Sequence, residues 1–215
     1  MTEPGTIEGI ILRVRPLTES SLIVCWLTAE HGRISTVARG ARRPKSPYRG
    51  KLDLFYSAAF TFRRSRRSEL HHLAEVSLLD THPVLRRELE ALGKASYGAQ
   101  LVELATETDT PLPEIYALFQ CFLKHLSAAP NHPYSVLAFE VKLLGELGLD
   151  PDAALPQPRP AVRALLASLR EQEWSNLGNL AVSAQDFKAA DQFLRALIAQ
   201  HLGRVPRARP AIRSP

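Results

Sequence analysis

The 215-residue sequence has little of what enzyme chemistry needs. It lacks a Walker P-loop, the glycine pattern of a dinucleotide fold and a Gly-x-Ser-x-Gly elbow. Its acidic residues are scattered rather than clustered as a metal site requires. His71 and His72 are adjacent on a predicted strand, so they should point to opposite faces and cannot share one ion. The sequence therefore predicts no enzyme, and an enzyme whose site is dispersed along the chain is kept only as an alternative.

Cysteine is also scarce. Only Cys25 and Cys121 are present, far apart and each in an apolar run. This excludes a disulfide framework and a Cys-x-x-Cys zinc pair, and it fits a reducing compartment. We expect both thiols to be small buried side chains.

Signals for export or membrane insertion are absent as well. The N-terminal MTEPGTIEGI has no basic region followed by an apolar core, so we expect no signal peptide. No apolar run approaches the roughly 20 residues of a membrane-spanning helix. The predicted location is the cytoplasm, in association with the nucleoid, with no membrane partner.

What the sequence does have is one strongly basic stretch. Residues 33–67 hold eleven lysines and arginines and one acid, Asp53, a local balance of +10, whereas the whole chain is +5. Residues 1–82 have 13 basic and 8 acidic residues, while residues 83–215 have 14 of each. Like charges this close repel one another unless a polyanion is available. The asymmetry predicts two domains with different roles, the first of them binding nucleic acid.

The hydrophobic pattern has two periods. Up to residue 80, short alternating runs predict five strands, and a five-stranded barrel of this size is most often an OB-fold. From Pro83 the apolar residues recur at helical spacing. The predicted strands cover 6–16, 20–28, 33–40, 52–62 and 69–79, and the helices about 85–104, 113–126, 134–147, 162–169 and 183–198.

The predicted fold is therefore α+β. A five-stranded OB-fold β-barrel in residues 1–80 precedes an all-α domain in residues 83–203. A proline-rich connector at 149–160 interrupts the helices, and the basic, proline-broken tail at 204–215 is expected to be disordered.

The predicted nucleic-acid-binding residues lie in two segments of the barrel. One is the Gly40–Gly50 loop with its flanks, and the other is the basic turn at 63–67. Tyr48 lies inside the loop and is predicted to stack a base, whereas Trp26 and Phe55 are expected in the core. The full set is Arg33, Arg39, Arg42, Arg43, Lys45, Tyr48, Arg49, Lys51, Arg63, Arg64, Arg66 and Arg67.

Two other partners are compatible with a basic OB-fold. An RNA-binding protein of the translation or cold-shock type would usually expose several aromatic side chains on its sheet. Aromatic residues make up only 7% of this sequence, which disfavours that reading. The arginines could instead bind a protein partner, but eleven positive charges against one acid favour a polyanion.

Specific segments of the sequence also resemble those of a known family. The run from Gly32 to Ser46, GRISTVARGARRPKS, resembles the signature of the bacterial RecO recombination mediator family. The resemblance covers nearly the whole chain, although its helical part is generic. Shorter matching segments are Glu19–Ser20, Leu27–Gly32, Leu73–Val76, His201–Arg204 and Arg207–Arg209.

This resemblance implies a DNA repair function. It implies a protein that binds single- and double-stranded DNA and anneals complementary strands. It also implies that the protein works with RecR to replace single-stranded DNA-binding protein (SSB) by RecA on gaps. Family members often carry a four-cysteine zinc site after the long apolar helix, but here Gly148–Asp152 continues into the connector without cysteine. We therefore expect no zinc and no other cofactor.

Overall fold

The first part of the chain folds into a closed five-stranded barrel. The structure is a computed structural model that describes residues 5–149 and 157–211. The strands follow the order β1-β2-β3-β5-β4 around the barrel. They are β1 (Ile7–Pro16), β2 (Leu22–Thr28), β3 (Gly32–Ala38), β4 (Ser57–Arg63) and β5 (Leu70–Asp80).

The strand pairing is that of an OB-fold, as predicted. All neighbouring strands are antiparallel except β3 and β5, which pair in parallel from Ser35–Leu70 to Val37–His72. The fourth strand is shorter than predicted, because it begins at Ser57 and not at residue 52. Phe55 has a positive φ of 64°, so the backbone turns there and Leu54 is left exposed.

The barrel is filled by large side chains. The Trp26 ring stacks on Phe60 at a centroid distance of 4.0 Å, and its Nε1 donates to Thr36 Oγ1 at 2.8 Å. Phe55 is 2% exposed and Trp26 is fully buried, so both core predictions are confirmed. The Trp26 indole is thus satisfied in the core, and Trp26 is not available to stack a base.

The rest of the chain is helical, as predicted. One predicted helix is broken, because Glu88 takes an extended conformation between α1 and α2. This break turns Leu89 outward to 82% exposure, although Leu89 fits the helical spacing of the apolar residues. The helices are α1 (Val84–Arg87), α2 (Leu89–Ala105), α3 (Pro113–Ala128), α4 (Ser135–Glu146), α5 (Pro160–Glu171) and α6 (Ala184–Leu202), with a 3₁₀ helix at Trp174–Asn179.

Helix α4 is almost wholly buried, and it buries a charge. Glu140 is 0% exposed, and its carboxylate receives two hydrogen bonds from Arg209, from Nε at 2.6 Å and from Nη2 at 2.7 Å. Arg209 also bridges Asp191 at 2.5 Å. The prediction of a disordered tail is therefore wrong for residues 204–211, which are tied to the helices, while 212–215 lie outside the described residues.

The chain divides into two compact units. The first comprises residues 1–82 and 106–117, and the second comprises 83–105 and 118–215. The return of 106–117 to the barrel was not indicated by the sequence. Its contact is close, because a Cβ on Gly32 (φ +60°) would lie 1.7 Å from the Thr110 carbonyl oxygen. Glycine is thus required there both by φ and by space.

Two smaller expectations concern the cysteines and the membrane. Cys25 is half-buried and Cys121 is exposed, so the prediction that both are buried is wrong. Within the described ranges, no helix has the length and apolar character needed to span a bilayer.

Candidate nucleic-acid interface

The basic loop between β3 and β4 is held in a defined shape. Arg42 N–H donates to Ser20 O at 3.0 Å, which ties it to the loop between β1 and β2. The loop itself is a run of turns, each closed by a backbone hydrogen bond between residues three apart. The acceptor–donor pairs are Ala38–Ala41, Gly40–Arg43, Arg43–Ser46, Ser46–Arg49 and Tyr48–Lys51.

Tyr48 fixes this loop to the barrel. Its ring is 9% exposed and belongs to the barrel core, and its hydroxyl donates to Leu73 O at 2.9 Å and Ala74 O at 3.1 Å. Burial, and secondarily the Glu75 carboxylate, raise the pKa of Tyr48. The chain therefore folds this side chain inward as an anchor, and the expectation that Tyr48 stacks a base stays a prediction.

Four of the predicted cations have other partners in the protein. Arg33 donates to Thr106 Oγ1 at 2.8 Å, and Arg64 bridges Asp109 at 3.1 Å. Lys51 Nζ donates to Val76 O at 3.0 Å, and Arg49 donates weakly to Pro44 O at 3.4 Å. These four side chains therefore contribute to holding the loops and the 106–112 segment in place, whatever else they contact.

The other seven predicted cations are exposed. Within residues 5–149 and 157–211, none of these seven side chains makes a hydrogen bond or an ion pair. Charged side chains held at a surface without counter-charges produce a positive potential that attracts anions. They are Arg39, Arg42, Arg43, Lys45, Arg63, Arg66 and Arg67.

The parallel β3–β5 pairing relates the two basic segments. His72 of β5 pairs with Val37 of β3 on one side and with Arg63 of β4 on the other, so Val37 and Arg63 are two strand spacings apart, about 9–10 Å. Arg39 follows Val37, and Arg66 lies in the turn before β5. Arg39 and Arg63 therefore lie on the same side of the barrel, and the seven exposed cations together are called the cationic strip.

One ionisable cluster lies under the β4–β5 turn. His71 is 3% exposed and stacks on Phe62 at 5.2 Å, and its Nε2 is 3.7 Å from Asp109 Oδ1. Burial lowers the pKa of His71, and the nearby Asp109 carboxylate opposes that effect. Since His71 is buried and His72 is exposed, the prediction that they face opposite sides is confirmed.

The structure also adds residues to the predicted set. His72 lies between the two basic segments, and its outward direction follows from simple alternation along β5. Leu17 and Ser20 of the β1–β2 loop lie beside the basic loop. No sequence signal indicated that proximity, because it depends on how the loops fold back in space.

A metal site is not evident in the described part of the chain. No three histidine, cysteine, aspartate or glutamate side chains come together there to hold an ion. The segment after α4, where the family resemblance implies a zinc site in many members, falls partly within 150–156, outside the described residues. The expectation that zinc is absent stays a prediction.

The fold and the site define a class of protein. A closed OB-fold barrel carries a strip of exposed cations and is followed by a helical domain. Family models described as "Recombination protein O N terminal" and "Recombination protein O C terminal" match residues 1–82, and residues 86–154 and 152–210, respectively. The chain belongs to the RecO family.

Individual relatives agree with the family models. A protein named "DNA repair protein RecO" from Pelotomaculum thermopropionicum is 35% identical over 144 residues, 67% of this chain and 55% of the relative. The proteins of the same name from Anaeromyxobacter sp. strain Fw109-5 and Bacillus subtilis are 34% and 31% identical, over 59% and 56% of their lengths. The chain thus matches less than two thirds of the length of these relatives.

Proposed function

We propose that this protein is a recombination mediator in DNA repair. It binds single- and double-stranded DNA through the cationic strip of the barrel and anneals complementary strands. With RecR, it helps to replace SSB by RecA on single-stranded gaps. The observation that carries the DNA-binding part is the set of seven exposed cations that have no counter-charge among the described residues.

The strip suits a phosphate backbone better than a protein partner. Single-stranded nucleic acid is commonly held by a positive groove on an OB-fold. Guanidinium groups are well matched to phosphate oxygens, because their N–H donors form a planar fork, and six of the seven cations are arginines. A surface that only faces solvent would be expected to carry acidic residues among its basic ones, whereas Asp53 is the only acid in residues 33–67.

The RNA-binding alternative has less support. Proteins that read RNA on a sheet usually present aromatic side chains to the bases. The described ranges include every aromatic residue of this chain, and none of these aromatic side chains is exposed. We therefore favour backbone-directed binding to DNA with weak sequence preference.

Annealing follows from charge neutralisation. Two complementary strands repel each other through their phosphates, and a strip of cations lowers that repulsion when both strands lie on it. Base stacking and pairing then decide the product. Such a role involves no bond-making or bond-breaking, and we propose that it requires neither zinc nor another cofactor. We place this activity in the cytoplasm, at the nucleoid.

The experiment measures strand annealing and the salt dependence of the affinity for the strands. Two complementary oligonucleotides, one coated with the cognate SSB, are mixed with the full chain without nucleotide or metal. The changed variant carries Arg42→Ala, Arg43→Ala, Lys45→Ala and Arg49→Ala. Each lost phosphate contact should reduce the slope of log affinity against log salt by about 0.7, so the quadruple variant should lose roughly 2–3 in slope.

A matched control separates position from net charge. Lys124, Arg163, Lys188 and Arg207 are exposed on the helical unit, and changing all four to alanine removes the same number of charges. This control should retain the salt slope of the unchanged protein. Equal losses in both variants would mean that only overall charge matters, and an unchanged slope in the loop variant would rule the loop out.

A further inference from the structure

We propose that two cavities that share Arg43 as a lining residue are subsites for unpaired bases, so that the barrel holds a single strand partly by its bases. This proposal rests on the proposed DNA-binding function and adds a basis for strand selection. Exposed aromatic platforms are the usual means of holding unpaired bases. None is present among the described residues, so apolar surface for a base is to be sought in the cavities beside the cations.

The first cavity lies between the β1–β2 loop and the outer face of β3 and β5. Its volume is about 450 Å³, within the range of small-ligand pockets. Leu17 and Val37 provide apolar surface, and the exposed His72 imidazole borders it. Arg39 and Arg43 lie at the same cavity, where they can reach the phosphates that flank an inserted base.

The loop that closes this cavity is held by hydrogen bonds. Within the β1–β2 loop, Leu17 N–H donates to Ser21 O at 3.0 Å, and Ser21 N–H donates to Thr18 Oγ1 at 3.1 Å. Arg42 N–H donates to Ser20 O at 3.0 Å. A site that is already formed costs less to occupy than one that must be ordered on binding.

The second cavity is also lined by Arg43. Its volume is about 410 Å³, and it is lined by apolar Leu22, Ala41 and Leu52 together with Arg42, Arg43 and Arg49. The small exposed part of Tyr48 also contributes to it. The combination of apolar surface with guanidinium groups is again what a base and its phosphates need.

Arg43 is common to both cavities. A phosphate bound at Arg43 would have a neighbouring base within reach of each cavity. In a duplex the bases are paired and stacked inside, so only an unpaired strand can fill both cavities. The cavities therefore distinguish single strands from duplexes, whereas the cations alone do not.

The test compares strands that have equal charge but differ in bases. A 20-nucleotide oligothymidine, an abasic strand of the same length and a 20-base-pair duplex are titrated by fluorescence anisotropy at one salt concentration and pH 8. Oligothymidine should bind about tenfold more tightly than the abasic strand, toward the lower end of what one engaged base contributes. The Leu17→Ala/His72→Ala double variant should reduce that ratio to about threefold or less.

Two controls make the result specific. Leu17 is 45% exposed and His72 is also exposed, so the double variant should fold normally. Leu79→Ala changes a 54% exposed leucine that lines neither cavity and should keep the tenfold ratio. Arg43→Ala should weaken binding of oligothymidine and of the abasic strand by similar factors, because it contacts phosphate.

The outcomes separate this proposal from the proposed function. Equal binding of oligothymidine and abasic strands by the unchanged protein would overturn the base subsites and leave DNA binding intact. An unaltered ratio in the double variant would also overturn the two-cavity proposal, because the first cavity would then hold no base. Failure to bind any of the three probes would overturn the proposed function as well.

Discussion

The basic surface of the barrel and the buried core of the helical unit use positive side chains in opposite ways. In the barrel, seven lysines and arginines extend into solvent with no partner among the described residues. In the helical unit, Arg209 is 8% exposed and bonded to Glu140 and Asp191, and Lys94 donates to two backbone carbonyls. The exposed charges are available to a ligand, whereas the buried ones stabilise the fold.

The difference predicts which substitutions change stability and which change binding. Removing an exposed cation costs the fold little, because its charge is already solvated. Removing Arg209 leaves the buried Glu140 carboxylate without its counter-charge, which is costly. Variants in the two units should therefore separate into two classes, and each prediction below tests that separation.

The largest effect is expected for Arg209→Met. Loss of both bonds to Glu140 and of the bridge to Asp191 should lower the free energy of unfolding by about 3–5 kcal/mol. Urea denaturation measures this change. DNA affinity, measured under conditions in which the variant remains folded, should be unaltered.

Arg207→Ala is the matched control for that variant. Arg207 is two residues away and exposed, so its loss should change the free energy of unfolding by less than about 0.5 kcal/mol. A similar loss in both variants would mean that the 204–211 segment stabilises through its backbone rather than through the buried guanidinium.

A smaller effect concerns acid stability of the helical unit. Burial, with the nearby charges of His132 and Lys94, lowers the pKa of His125 to about 4. Between about pH 6.5 and 4 the unfolded state therefore takes up a proton that the folded state does not, so stability falls as the pH is lowered through this window. His125 should account for about 2 kcal/mol of that loss, after allowance for partial solvent screening.

His125→Gln isolates this contribution. The Ser135 hydroxyl donates to His132 O at 2.9 Å, so in the 3.0 Å contact His125 Nε2 is the donor to Ser135, a role that the glutamine amide can take over. Urea midpoints at pH 7 and pH 4.5 should differ less in the variant than in the unchanged protein. If both lose the same stability on acidification, other titrating groups are responsible, among them His132, whose pKa burial also lowers.

The smallest effects are expected for Tyr48→Phe, which should change both the free energy of unfolding and the DNA affinity. Removing the hydroxyl should lower the free energy of unfolding by about 1 kcal/mol, because Leu73 O and Ala74 O lose a donor. DNA affinity should fall modestly, because the loop that presents Arg42 and Arg43 is held less firmly. Tyr56→Phe, at a half-buried neighbour of the core, is the comparison. An unchanged affinity would show that loop order does not limit binding.

Much of the barrel could be predicted from the sequence. Alternation places one side of each strand in the core, and the switch of period at Pro83 marks the start of the helices. The density of arginine between 33 and 67 was sufficient to locate the basic surface. Both kinds of signal are local, so they can be recognised in a single sequence.

The remainder depends on contacts between distant parts of the chain. Tyr48 lies in a loop rich in glycine and proline, and only the position of β5 beneath it decides that its ring points inward. Arg209 has the sequence surroundings of a disordered tail, and its partner Glu140 is 69 residues away. Leu89 fits the helical period but becomes exposed because Glu88 breaks the helix.

The separation of Arg209 from Glu140 also affects how the protein is made. At about 5–20 residues per second, a ribosome adds the intervening 69 residues in roughly 3–14 seconds. During that interval the Glu140 carboxylate has no access to its guanidinium partner, so α4 cannot yet be buried in its final form. The barrel strands end at Asp80 and emerge long before. Completion of the helical unit should therefore be the late step in biogenesis, and the nascent chain should expose the apolar surface of α4 to chaperones until Arg209 arrives.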